Sequence, residues 1–181
     1  MDLYKEKFTK VEREIIRFLS IHAGNSYNQR EIALALKVSP TAVAKSLKSL
    51  EKERIIILKR DKNTKPQEIS LNFQNNKVFF IKRVENLRTI YESGLAEFLF
   101  ENLPGATIIL FGSYSSGEDR FNSDIDIAVI GDTPKKINLS TCESKLNKKI
   151  MIQFFENFDK INKNLKESIL NGIILKGSVK L

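Results

Sequence analysis

The sequence predicts a mixed α/β (α+β) chain in two parts: N-terminal helices closed by a β-hairpin, then a C-terminal mixed sheet flanked by helices. Two observations carry this. Apolar residues recur at helical spacing until about residue 52 and then give way to two short strand-like runs. Farther on, the apolar run 106–111 stops at Gly112-Ser113, and a second run, 125–130, follows Asp124. The expected boundaries are 1–73 for the first part, 74–103 for a connecting helix and 104–181 for the second part.

Along the first part, Val11, Ile15, Phe18 and Leu19 lie at helical spacing, and Gly24-Asn25-Ser26 ends that helix. A short helix follows with Ile32, Ala33 and Leu36 inward. Ser39 is suited to an N-cap and Pro40 to the first helical position of a third helix, which turns Val43, Leu47 and Leu50 inward. The runs 55–58 and 68–73 flank a basic segment containing Lys59, Arg60, Lys62, Lys65 and Pro66, which predicts a hairpin with a charged tip. Helix, short helix, capped helix and basic hairpin resemble the winged helix-turn-helix of bacterial and archaeal transcription regulators over about 65 residues. The resemblance implies DNA as a partner. Thr41, Lys45 and Lys48 would face the major groove, and Lys59, Arg60 and Lys62 would meet phosphates. A face rich in Lys favours affinity over base readout. The competing reading is a solvated basic surface, or a winged helix used for protein contact.

Residues 75–103 carry Val78, Ile81, Val84, Leu87, Ile90, Tyr91, Leu95 and Phe98 at helical spacing, with Gly94 marking a bend and Pro104-Gly105 a stop. Winged-helix regulators often pair through such a helix, so the expected assembly is a homodimer.

The second part carries the chemistry. Residues i and i+2 of a strand project from one face, so Asp124 and Asp126 should point together while Ile125 and Ile127 enter the core. Two adjacent carboxylates repel, and a divalent cation is the natural compensation. Gly112 allows a phosphate to approach the backbone, and Ser113 offers a hydroxyl and an N–H. Gly112-Ser113, ten intervening residues and then Asp124-Ile125-Asp126 resemble the small nucleotidyltransferases of the DNA polymerase beta superfamily. The resemblance implies Asp124 and Asp126 as catalytic residues and ligands of Mg2+. It implies Gly112 and Ser113 on the triphosphate of an NTP such as ATP. An acceptor hydroxyl, that of a partner protein included, would take the nucleoside monophosphate.

Two departures from that family pattern stand out. Ser116 occupies a position where many members have a basic residue, which leaves Arg120 as the candidate replacement. A third carboxylate is expected on a later strand, yet 149–155 reads Lys-Ile-Met-Ile-Gln-Phe-Phe. Gln153 is its nearest polar candidate, and an amide cannot serve as a base. The rival expectation is therefore a winged-helix regulator whose second domain senses nucleotide or is inactive. The tail predicts a helix over 159–170, a stop at Asn171-Gly172 and a strand over 173–176.

Composition limits the alternatives. The 181 residues are 41 % hydrophobic and 29 % charged, which suits a packed globular chain rather than a disordered one. The net charge of +8 is uneven: residues 1–72 hold 15 Lys/Arg and 9 Asp/Glu, whereas 73–181 hold 15 and 13. That asymmetry points to a polyanion partner for the first part. A single cysteine, Cys142, excludes an intrachain disulfide. No apolar run has the roughly 20 residues of a membrane span, and no apolar leader is visible, so the expected setting is cytoplasmic with no membrane contact. His22, the one histidine, is expected to be structural.

Overall fold

Three helix starts near the N-terminus are fixed by short polar side chains. The computed structural model describes residues 7–59 and 67–179. Thr9 and Glu12 form a capping box that opens helix α1 (Lys10–Ile21), and Asn28 and Glu31 form another that opens α2 (Gln29–Leu36). Ser39 Oγ accepts the Ala42 N–H at 3.2 Å, and Pro40 takes the first position of α3 (Pro40–Lys52). Strands β1 (Ile56–Lys59) and β2 (Glu68–Leu71) pair antiparallel, with Ile56 opposite Leu71 and Lys59 opposite Glu68. Tyr27 adds an isolated antiparallel bridge to Ile69. Ile15, Leu19, Ile32, Val43, Leu50, Ile55 and Ile69 fill one core beneath these elements. Three helices followed by a two-stranded wing make this a winged helix-turn-helix.

The chain divides into two units, Met1–Lys82 and Arg83–Leu181, and the division falls inside helix α4 (Asn76–Glu92). The single helix expected over 75–103 is broken. Gly94 adopts φ +81°, a left-handed conformation that stops α4 and starts α5 (Leu95–Asn102).

In the second unit, β3 (Thr107–Phe111), β4 (Ile125–Ile130), β5 (Ile150–Phe155) and β6 (Ile173–Lys176) form one sheet in the order β5-β4-β3-β6. β3 runs antiparallel to β4 and β6, while β4 and β5 are parallel. A parallel pair needs a crossover, and α7 (Ser140–Leu146) lies in the connection between β4 and β5. Both sheet faces are covered. Ile108, Leu110, Ile125, Ile127 and Val129 pack with Leu95, Ala96 and Leu99 of α5. Ile109, Phe111, Ala128 and Ile130 pack with Phe158, Ile161 and Ile169.

The helix expected over 159–170 is two pieces. A 3-10 turn, Phe158–Lys160, is capped by Asn157, and α8 (Lys163–Leu170) restarts after Asn162, whose carboxamide oxygen accepts the Leu165 N–H at 3.0 Å. After α8, a Cβ at Gly172 would run into the carbonyl oxygens of Leu110 and Ile169, so only glycine lets this turn lie against β3. Among the described residues, no helix is long and apolar enough to cross a membrane.

Candidate active site

The turn from β3 into the short helix α6 (Gly112–Ser116) sets the geometry of the site. Phe111 at the end of β3 lies opposite Asp126 of β4, so both side chains leave the same sheet face. Gly112 follows with φ +70°, and a Cβ placed there would come within 2.7 Å of Asp126 Oδ2. The carboxylate of Asp126 therefore rests directly against the Gly112 backbone. No side chain fits between them, and glycine also tolerates the positive φ.

Asp124 lies one residue before β4 begins, in the loop that enters the strand, and is exposed. Asp126 is half-buried. Its pKa is raised first by burial and second by the negative charge of Asp124, so the two carboxylates feel one another. Ile125 and Ile127 point the other way, into the α5-side core.

Ser113 is half-buried at the start of α6, and its carbonyl accepts the N–H groups of Glu118 and Asp119 at 2.9 and 3.2 Å. Ser116, in the position where the resemblance leads one to look for a basic residue, has its Oγ 3.1 Å from Ser113 O and 3.0 Å from Glu118 Oε2, two acceptors for its one proton. Arg120 is exposed on the loop before Asp124. Its guanidinium donates to Glu118 O at 3.4 Å, and its backbone N–H donates to Ser123 Oγ at 2.9 Å.

The parallel register places Met151 of β5 beside Asp126 and Gln153 beside Ala128 on the same face. Met151 is 49 % exposed. The strand position next to the acid pair is thus a thioether, and Gln153 lies one pleat farther along. Among the described residues, no group of three or more His, Cys, Asp or Glu is arranged to hold a metal. Two carboxylates still suit Mg2+, which keeps several water and phosphate oxygens and commonly takes only one or two carboxylates from protein.

Three residues that the sequence reading passed over surround the loop. Asp119 is sealed from solvent and accepts a hydrogen bond from Asn86 Nδ2 at 2.6 Å. Asn86 also donates to the Tyr114 carbonyl at 2.8 Å. Lys148, on the turn before β5, lies 3.8 Å from Asp119 Oδ2. A polar Asn in an otherwise apolar helical stripe was the one available signal. Lys148 had none, because it is one of three lysines within five residues.

In the first unit, Thr41, Lys45 and Lys48 are exposed along α3 while Val43, Ser46, Leu47 and Leu50 are buried. Lys59 is exposed at the end of β1. Arg60 and Lys62, and with them the tip residue Lys65, lie outside the described residues.

Residues 95–179 match the family model described as polymerase beta, nucleotidyltransferase. No curated protein matches the chain. Solved structures similar to it include the adhesin competence repressor AdcR from Streptococcus pyogenes, at 21 % identity and TM-score 0.42, covering 53 % of this chain and 68 % of that one. ZitR from Lactococcus lactis, in complex with DNA, is 24 % identical with TM-score 0.39, covering 54 % of this chain and 62 % of that one. A mutant of MepR from multidrug-resistant S. aureus is 23 % identical with TM-score 0.37, covering 42 % and 56 %. The chain thus spans little more than half to two thirds of the length of these proteins. Gly112, Asp124 and Asp126 all lie inside the C-terminal segment that matches the nucleotidyltransferase family model.

Proposed function

We propose that this chain is a DNA-associated nucleotidyltransferase that moves a nucleoside monophosphate from an NTP to an acceptor hydroxyl. The observation that carries the proposal is the Asp126 carboxylate lying against Gly112 and within the field of Asp124. Asp124 and Asp126 would hold Mg2+, which supplies charge neutralisation for the phosphates and for the oxygens that attack and leave. The repulsion that Asp126 feels from Asp124 is what a cation at this position relieves. Gly112 presents backbone without a side chain to the phosphates, and Ser113 offers its hydroxyl and N–H beside it. Arg120, exposed on the adjoining loop, supplies positive charge on the solvent side. The acceptor hydroxyl belongs at the open end of the sheet next to Met151, and a hydroxyl on a partner protein fits there as well as a nucleic-acid end.

Thr41, Lys45, Lys48 and Lys59 form the DNA-facing set, with Arg60 and Lys62 as wing contacts. The chain works as a homodimer, and the catalytic unit is carried to its substrate by the winged helix.

One observation favours a second reading. Met151 stands beside Asp126, so no third carboxylate joins the pair from β5. On that reading the protein is a transcription regulator whose second unit binds nucleotide without transferring it. Incubation with α-labelled ATP, Mg2+ and candidate acceptors separates the two. Label transfer that disappears in Asp126→Asn supports the enzyme. Salt-sensitive DNA binding whose affinity changes with NTP, without transfer, supports the regulator.

A further inference from the structure

Eight residues, 117–124, run from the end of α6 to the start of β4 without regular secondary structure, and Asp124 is the last of them. Their conformation decides where Asp124 stands. Three carbonyl oxygens of this loop, those of Arg120, Phe121 and Ser123, converge on Lys148 Nζ at 2.8, 3.0 and 3.1 Å. An ammonium group has three N–H donors, so these three bonds use all of them. The Lys148 side chain is 5 % exposed and that of Asp119 is 1 % exposed. The Tyr114 ring lies beneath the ammonium, 5.8 Å from centroid to Nζ. Asn86 ties Asp119 and the Tyr114 carbonyl to α4. Burial works against the charge on Lys148, while the carboxylates of Asp119 and Asp124 favour it.

This is the coordination pattern of a loop wrapped around a cation, with the cation supplied by a side chain. A solvated lysine on the surface would be expected to keep water on at least one N–H. A lysine that serves only as an ion-pair partner for Asp119 would not need three successive loop carbonyls. We propose that Lys148 is the positioning residue of the acid-pair site: its buried ammonium gathers the carbonyls of Arg120, Phe121 and Ser123 and thereby places Asp124 beside Asp126. The inference rests on the reading of Asp124 and Asp126 as a divalent-cation site. Methionine at 148 keeps the length of the stem and removes every donor. Arginine keeps the charge, but its planar fork cannot meet three converging oxygens as a compact ammonium does.

The test compares wild type, Lys148→Met, Lys148→Arg and Asp126→Asn as full chains. Mn2+ affinity is measured by electron paramagnetic resonance, and amide exchange is measured across 118–125. The expected result is a folded Lys148→Met protein with at least tenfold weaker Mn2+ binding and at least tenfold faster exchange at Ser123 and Ile125. Lys148→Arg falls between it and wild type. Where Lys148→Met fails to fold, Lys148→Ala with added ethylammonium takes its place, and recovery of Mn2+ binding with the amine is the supporting result. A purely structural lysine would recover stability without that link to the metal. Wild-type Mn2+ affinity and exchange in a folded Lys148→Met, or no recovery with the amine, overturns the proposal. Equal Mn2+ binding by wild type and Asp126→Asn would sink the cation-site reading instead. Exchange at Ser123 and Ile125 then decides whether Lys148 orders the loop.

Discussion

Burial and the neighbouring Asp124 both disfavour the ionised form of Asp126 in the folded protein. Burial and the charge of Asp124 raise its pKa, so the native state holds this proton more tightly than the unfolded chain does. Stability contributed by the protonated form is therefore lost as pH rises from the ordinary aspartate range through the raised native value. Asp126→Asn should melt higher than wild type at pH 7 in EDTA, and the gap should close toward pH 4. A thermal melt at the two pH values checks this. Adding Mg2+ with NTP should raise the melting temperature of wild type and leave the variant unmoved. Gly112→Ala meets a different obstacle, since its Cβ would collide with Asp126 Oδ2 at a positive φ. A residue forced into a sparsely populated backbone region costs roughly 1–3 kcal/mol. The expected outcome is a loss of unfolding free energy of that size together with loss of divalent-ion binding, measured by urea unfolding and Mn2+ titration. The sequence singles out Gly112 and both aspartates as candidates because a Gly-Ser turn and a two-residue period are local features. It could not disclose that Asp126 lies on Gly112 itself, because the β3–β4 register produces that contact.

At the scale of elements, a capping serine followed by proline and a short apolar run behind an Asn-Gly stop were readable. Ser39-Pro40 fixed the start of α3, and the strand expected over 173–176 is β6 as observed. Two elements expected as single helices are each broken in two, the first at the bend that Gly94 marks in the sequence. Gly94 divides the long helix, and Asn162 restarts α8 by capturing the Leu165 N–H. A periodicity window averages over such single-residue interruptions. Lys148 was unreadable for another reason: its partners are backbone carbonyls more than twenty residues away, and backbone carbonyls leave no trace in a sequence. On α3, exposed Lys45 and Lys48 carry a prediction of their own. If each neutralises one phosphate, each alanine substitution should weaken DNA binding across sequences. The slope of log affinity against log salt should then fall by about 0.9 per residue. Fluorescence anisotropy over a salt series measures that slope. A slope unchanged by both substitutions would remove α3 from the DNA-facing set.

At the scale of the whole molecule, charge and chemistry are segregated. Residues 1–72 carry 15 of the 30 Lys/Arg but only 9 of the 22 Asp/Glu. The acid pair lies in the unit Arg83–Leu181, which has its own cores on either face of its sheet. The arrangement matches a protein whose first part finds a polyanion and whose second part handles a nucleotide. Everything in the functional account depends on the acid pair accepting a divalent ion together with NTP phosphates. The most direct measurement is Mn2+ binding by wild type and Asp126→Asn, with and without a non-hydrolysable ATP analogue. The account predicts that wild type binds Mn2+, that the analogue tightens binding by at least tenfold, and that Asp126→Asn shows neither effect. Mn2+ binding that is absent from wild type, or that is the same in both proteins with and without the analogue, would contradict it.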